Sequence, residues 1–239
     1  MAMKFDGKVV LVAGGTGGLG RAVSLAFLNE GADLIVTWRS EEELTSLRAA
    51  AGAKASMIRA HRVDVTDNSA VESFIAGIMA EKGRLDAMIN TTGGYAGGQK
   101  MWESDPKTLD RMLELNLRSG FLLSRSVAKA MVGQGKGSIV NVAAKAAFDP
   151  ASGLAAYAAS KAAAVAMIES LAADLKETGV RVNSVLPSII DTDANRKAMP
   201  KADFVKWPKP EEIAKVILFL CSDEAAVIHG ASIPVYGNH

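Results

Sequence analysis

The sequence predicts an α/β fold, a doubly wound sheet of about seven mostly parallel strands with helices on both faces. Short β-branched runs alternate with longer helical patterns from one end of the chain to the other. Most of the strand-like runs are nearly continuous apolar stretches, as expected for strands covered on both faces. Glycines punctuate the helical stretches. With 239 residues and no internal repeat, charge block or linker, residues 1–239 are expected to form a single domain.

The first strand candidate is Val9–Ala13, followed by a glycine-rich turn and a helix over Leu19–Asn29. Leu34–Trp38 is the second strand and Glu41–Ala51 the next helix, with Glu41 to Glu43 suited to its positive end. Ala60–Val65, Ala87–Asn90, Ser138–Val142, Arg181–Leu186 and Ser232–Val235 complete the strands. The remaining helical stretches are Ser69–Lys82, Pro106–Gln134, Leu154–Glu177 and Glu211–Ser222. Gly31, Gly83, Gly135 and Gly179 lie just past four helical stretches, where a residue able to take positive φ ends a helix. The loop over residues 188–210, with Pro200, Pro208, Pro210, Phe204 and Trp207, suits a substrate lid or a structural excursion against a neighbouring subunit.

Composition narrows the function. Hydrophobic residues make up 49% and charged residues 22%, a balance that excludes disorder. Lys plus Arg is 27 against Asp plus Glu 26, so broad attraction to nucleic acid or an acidic membrane is not expected. Cys221 is the one cysteine, which excludes an intrachain disulfide and a Cys-rich zinc site. His61, His229 and His239 have no metal-ligand spacing, so no metal is expected. The apolar run after Lys8 is too short to span a bilayer and continues into glycines, unlike a secretory signal, so a cytoplasmic chain is expected. Aromatic residues are only 5%, and Trp38, Trp102, Trp207 and Tyr95 all fall beyond the carboxyl ends of predicted strands, where open α/β sheets bind ligands. They could equally anchor loops.

The first strand runs into Gly14-Gly15-Thr16-Gly17-Gly18-Leu19-Gly20. Glycines at 14, 18 and 20 suit a tight turn that lets a pyrophosphate approach the backbone and the following helix N-terminus. This is a Rossmann-type nucleotide site, with Gly14, Thr16, Gly18, Leu19 and Gly20 as its cofactor-binding positions. Sites preferring NAD usually carry an acidic residue at the end of the second strand, but this chain has Thr37-Trp38-Arg39-Ser40. Arg39 can pair with a 2′-phosphate, with Thr37 or Ser40 adding hydrogen bonds, so NADP(H) is the preferred cofactor and NAD(H) the second option. Arg39 could otherwise be a solvated loop residue. Further on, Tyr157 and Lys161 stand four apart in an Ala-rich helical stretch and share one face. A neighbouring ammonium is expected to lower the phenol pKa from about 10 and make Tyr157 a proton donor or acceptor.

On the Gly14/Gly18/Gly20 turn, Asp64-Val65, Asn116, Tyr157 with Lys161, and Pro187, the sequence resembles the short-chain dehydrogenase/reductase family over essentially its whole length. The resemblance implies that Asp64 and Val65 hold the adenine, that Asn116 organises a water relay, and that Lys161 binds the nicotinamide ribose. It places Asn90, Gly93, Pro187, Ile189 and Thr192 beside the cofactor and implies a homodimer or homotetramer paired through the long helices. Read without the family, Asp64 is a turn residue and Asn116 a satisfied polar group. The family's catalytic serine, thirteen positions before the tyrosine, is Ala144 here, and losing such a donor typically costs ~10²–10³ in rate.

Around the expected site, Thr92–Gly98, Ala144–Asp149, Asn195–Pro200 and Trp207 locally resemble the dihydropteridine reductase branch, which lacks that serine. That resemblance implies reduction of a quinonoid dihydropterin-like heteroaromatic small molecule, with Tyr157 as proton donor and Tyr95, Ala144, Lys145 and Trp207 at the substrate. Tyr95 or Trp207 could stack on a flat ring. The alternatives are a general carbonyl or 3-oxoacyl-type reductase with Lys145 as a compensating donor, and a non-catalytic NADP-binding regulator.

Overall fold

The computed structural model describes residues 4–238. Its elements run β1 (Val9–Ala13), α1 (Gly18–Asn29), β2 (Asp33–Trp38), α2 (Glu41–Ala51), β3 (Ile58–Arg62), α3 (Asn68–Lys82) and β4 (Ala87–Asn90). The second half continues α4 (Pro106–Leu113), α5 (Ser119–Gln134), β5 (Gly137–Val142), α6 (Ala155–Asp174), β6 (Val180–Pro187), α7 (Asp193–Ala198), α8 (Pro210–Cys221) and β7 (Ser232–Val235). The seven strands form one sheet in the order β3-β2-β1-β4-β5-β6-β7, and every pairing is parallel.

Side chains alternate across β1 and separate two cores. Val10 and Val12 pack with Val23, Phe27, Leu47 and Ile217 beneath α1, α2 and α8. Val9, Leu11 and Ala13 pack with Ile75, Val127 and Ile168 beneath α3, α5 and α6. Burying each such side chain contributes about 1.5–3 kcal/mol, which explains why the central strands read as unbroken apolar runs. The order reverses between β1 and β4, opening a crevice above their carboxyl ends, the usual ligand position in this architecture.

Three expectations change. The third strand covers Ile58–Arg62 rather than Ala60–Val65, because its sole neighbour β2 ends at Trp38, the partner of Arg62. Val63–Val65 therefore leave the sheet and border the crevice. The expected helix over Pro106–Gln134 is interrupted by a π turn at Glu114–Arg118, which carries Asn116 inward. Gly83 and Gly135 cap their helices with left-handed φ, but Gly179 does not, since α6 ends at Asp174. A side chain on Gly179 would instead meet the carbonyl of Gly135 at 2.2 Å.

Candidate functional site

The turn after β1 is built against its neighbours' backbones. Gly14, at φ +73°, donates its N–H to Thr37 Oγ1 at 2.8 Å, and Thr91 Oγ1 donates to the Ala13 carbonyl at 2.7 Å. A Cβ on Gly20 would lie 2.0 Å from the Gly14 oxygen, so α1 can leave the turn only with glycine there. Gly18 lies under Thr192, whose methyl would stand 3.0 Å from an added Cβ. No side chain caps α1 at Gly17, leaving its first N–H groups and positive end for an anion. Leu19 turns its side chain into the core, so only its backbone faces this turn.

Above the turn lies a cleft of about 540 Å³ bordered by Gly14, Thr16, Arg39, Asp64, Val65 and Gly93, all singled out from the sequence. Arg62 and Glu43 also line it and were missed. Glu43 occupies the first turn of α2 as expected, yet its carboxylate accepts from Thr16 Oγ1 at 3.0 Å. With β3 ending at Arg62 rather than Val65, Arg62 stands at the end of the strand instead of within it. Asp64 Oδ1 accepts from the Thr66 N–H and hydroxyl, and those bonds hold its carboxyl below the usual range.

Two cofactor candidates support the turn instead. Thr37 is 2% exposed and borders the cleft, and its Oγ1 accepts from Gly14, so it helps to fix the turn. Asn90 is buried, donates to Asn141 Oδ1 at 3.0 Å, and accepts from the Thr92 N–H and hydroxyl, which shapes residues 91–93. Pro187, Ile189 and Thr192 continue from β6 into the loop before α7, with Thr192 capping α7 at the Asn195 N–H.

The first turns of α6 present Tyr157 and Lys161. Lys161 is 6% exposed, and its Nζ donates to the Val142 carbonyl at 3.1 Å. A Cβ on Gly93 would lie 3.3 Å from that nitrogen, so the lysine sits directly behind Gly93, which borders the cleft. Burial pushes the lysine down to about 8 and pushes Tyr157 up to about 12, with Tyr95 adding to the latter. The expected lowering of the phenol by the lysine is thus reversed: desolvation dominates at both groups. The Tyr95 ring stands edge-on to that of Tyr157, with centroids 5.1 Å apart, and is 67% exposed.

Asn116 is buried in the π turn. Its Oδ1 accepts from Gly94 N at 2.8 Å, while Nδ2 donates to the Gly94 carbonyl and to Ser160 Oγ. The amide thus clamps the Gly93–Tyr95 segment. Ala144 is buried in extended backbone and offers no hydroxyl. Lys145 Nζ stands 3.4 Å from Asp149 Oδ2 and 5.3 Å over the Tyr236 ring, so it is already partnered. Trp207 is 4% exposed and packs on Phe204, so the expected stacking face is enclosed and the residue anchors the 188–210 loop. Trp102 stays 81% exposed on a short turn.

Among the described residues no group of three or more His, Cys, Asp or Glu could hold a metal ion, and no helix is long and apolar enough to cross a membrane. His229 bonds the Val182 N–H and the Ala172 carbonyl, while His61 lies against Phe74. His239 lies outside the described residues.

A family model described as short chain dehydrogenase matches residues 8–203. A 3-oxoacyl-[acyl-carrier-protein] reductase of Thermotoga maritima is 33% identical, with 98% of each chain covered. A D-threitol dehydrogenase of Mycolicibacterium smegmatis is 34% identical over 99% of this chain and 94% of that one. Among solved structures, a short-chain type dehydrogenase/reductase from Mycobacterium ulcerans matches with a TM-score of 0.92 at 26% identity, over 98% of this chain and 90% of that one.

Proposed function

The chain belongs to the short-chain dehydrogenase family, and from that premise we propose that it is an NADP(H)-preferring carbonyl reductase. The observation that carries this reading is Tyr157 one helical turn from a buried lysine, which sits behind Gly93 at the edge of a cleft that opens over a glycine turn. The cleft residues fit a nicotinamide dinucleotide, because Gly14, Gly18 and Gly20 stand where a Cβ would crowd the turn and the α1 end is free of a side-chain cap. Gly14, Gly18 and Gly20 would hold its pyrophosphate, Asp64 and Val65 its adenine end, and Lys161, Gly93 and Thr192 its nicotinamide end. When bound, the nicotinamide supplies the hydride.

The chain's own residues handle the proton. A phenol held up to about 12 stays protonated at neutral pH, so Tyr157 is ready to donate as a carbonyl oxygen gains charge. Lys161, fixed by Val142, supplies positive charge where that phenol would become anionic. Asn116 holds the Gly93–Tyr95 wall through its side-chain amide. Arg39, with no carboxylate at residues 37–40, supports the NADP(H) preference. The loop over residues 188–210 serves as a substrate-side wall, tied at its base by Asp191 N to the Pro208 carbonyl. A groove with Leu113, Leu117, Phe121 and Met167 suits pairing into a homo-oligomer.

The relatives named above are an oxoacyl reductase and a polyol dehydrogenase, and they favour carbonyl chemistry over the dihydropterin expectation. Ala144 keeps reduction of a quinonoid heteroaromatic as the second reading, since charge spread over a ring needs less from a single hydroxyl donor. The test is NADPH oxidation with a panel of ketones, 3-oxoacyl thioesters and quinonoid dihydropterin. Turnover of the carbonyls, falling ~10²–10⁴-fold in Tyr157→Phe with NADPH affinity unchanged, is expected. Turnover of dihydropterin alone would move the assignment to the second reading. Tight NADPH binding with no turnover would make the chain a regulator.

A further inference from the structure

We infer that Arg62, braced on Trp38, is a second ligand for the 2′-phosphate of NADP(H) and shares with Arg39 the discrimination against NAD(H). This rests on the dinucleotide reading above and adds a specificity-determining residue to it.

The register of β2 and β3 makes Trp38 and Arg62 partners on their last shared rung, so both side chains leave the sheet on one face. That face is the one whose Leu34, Val36 and Ile58 pack under α1 and α2, and Trp38 and Arg62 extend it to the rim of the cleft. The guanidinium lies 5.9 Å from the indole centroid, a stacking contact that restrains a planar fork without using its N–H donors.

Neither arginine in this corner is tied down by a close partner. Among the described residues neither Arg39 nor Arg62 makes a side-chain hydrogen bond or an ion pair, although both line the same cleft. The nearby carboxylates already accept hydrogen bonds, Glu43 from Thr16 and Asp64 from Thr66, and Asp64 also feels the charge of Arg39. A phosphate monoester carries close to two charges and three acceptor oxygens at neutral pH, which suits two guanidinium forks. A ribose hydroxyl offers neither.

The test is calorimetric titration of the whole chain with 2′,5′-ADP and with 5′-AMP, which differ only in that phosphate, together with NADPH and NADH binding read by fluorescence. Arg62→Gln is expected to weaken 2′,5′-ADP and NADPH by about 10- to 100-fold, leaving 5′-AMP and NADH within about twofold. Arg62→Lys, which keeps the charge but loses fork and stack, should fall between. Equal losses for the paired ligands, or no loss, would overturn the assignment while leaving the dinucleotide reading intact. Failure of the unaltered chain to bind either dinucleotide would overturn both.

Discussion

Lys161 Nζ donates to the carbonyl of Val142 at 3.1 Å, which ties a buried ammonium to the last residue of β5, two positions before Ala144. The bond partly offsets the loss of water around the charge but does not cancel it, since the lysine falls from 10.5 to about 8.

That shift has a defined sign in stability. Below about pH 8 the lysine is charged in both states, and the folded chain bears the full cost of burying it. Between about 8 and 10.5 the unfolded chain binds the proton and the folded chain does not, so stability rises with pH. The rise amounts to about 3 kcal/mol for this group alone. Urea melts of the cofactor-free chain and of Lys161→Met at pH 7 and pH 10 check it. The unaltered chain should gain on the variant across that interval, and a difference independent of pH would refute the argument.

Ala144 invites the opposite kind of change. It lies in extended backbone where β5 passes into the short turn at Lys145–Ala147. Ala144→Ser places a hydroxyl on this wall, and removing such a donor elsewhere costs ~10²–10³ in rate. The expected result is a gain of about 10- to 100-fold in kcat/KM for simple ketones, with NADPH affinity unchanged. A rate that stays flat for every ketone would mean that the donor already comes from another residue.

The sheet is legible in the sequence because burial on both faces writes itself as continuous apolar runs; β1, β4 and β7 match their predicted spans. It failed where tertiary pairing decides. The end of β3 depends on where β2 stops, and the missed Arg62 followed from that error. The π turn at Asn116 leaves the helical apolar pattern unbroken, so only the contacts of its amide reveal it. Glu43 meets Thr16 across 27 positions, a reach that local pattern does not encode. The direction of the Tyr157 shift was missed for a different reason: adjacency to a cation is visible in the sequence, but the depth of burial is not.

Gly20 and Gly17 make a matched pair within one turn. An added Cβ at Gly20 would meet the Gly14 oxygen at 2.0 Å and the Gly14 carbonyl carbon at 2.9 Å, whereas at Gly17 the nearest atom is 3.7 Å away. Backbone cannot yield as a side chain can, so Gly20→Ala must separate α1 from the turn. A loss of about 3 kcal/mol or more is expected, with dinucleotide binding abolished. Gly17→Ala should melt within a few degrees of the unaltered chain and still bind. Thermal melts with an NADPH titration decide it, and similar behaviour of the two variants would count against a steric origin for the glycine spacing.

Asn116 satisfies both backbone groups of Gly94 at once and spends its remaining N–H on Ser160 Oγ. Asn116→Ala leaves a half-buried N–H and C=O of Gly94 without protein partners, at up to about 1 kcal/mol each, and frees the segment that carries Tyr95 against Tyr157. Asn116→Asp separates the two halves of the clamp. Its carboxylate can still accept from Gly94 N but cannot donate to the Gly94 oxygen, whereas the protonated acid can do both. The folded state therefore favours the protonated acid, and the stability of Asn116→Asp should fall as pH rises from 5 to 8. Urea melts at the two pH values, with the unaltered chain as reference, read this directly. If Asn116→Asp is as stable relative to the unaltered chain at pH 8 as at pH 5, the amide's donor side carries no weight in holding Gly94.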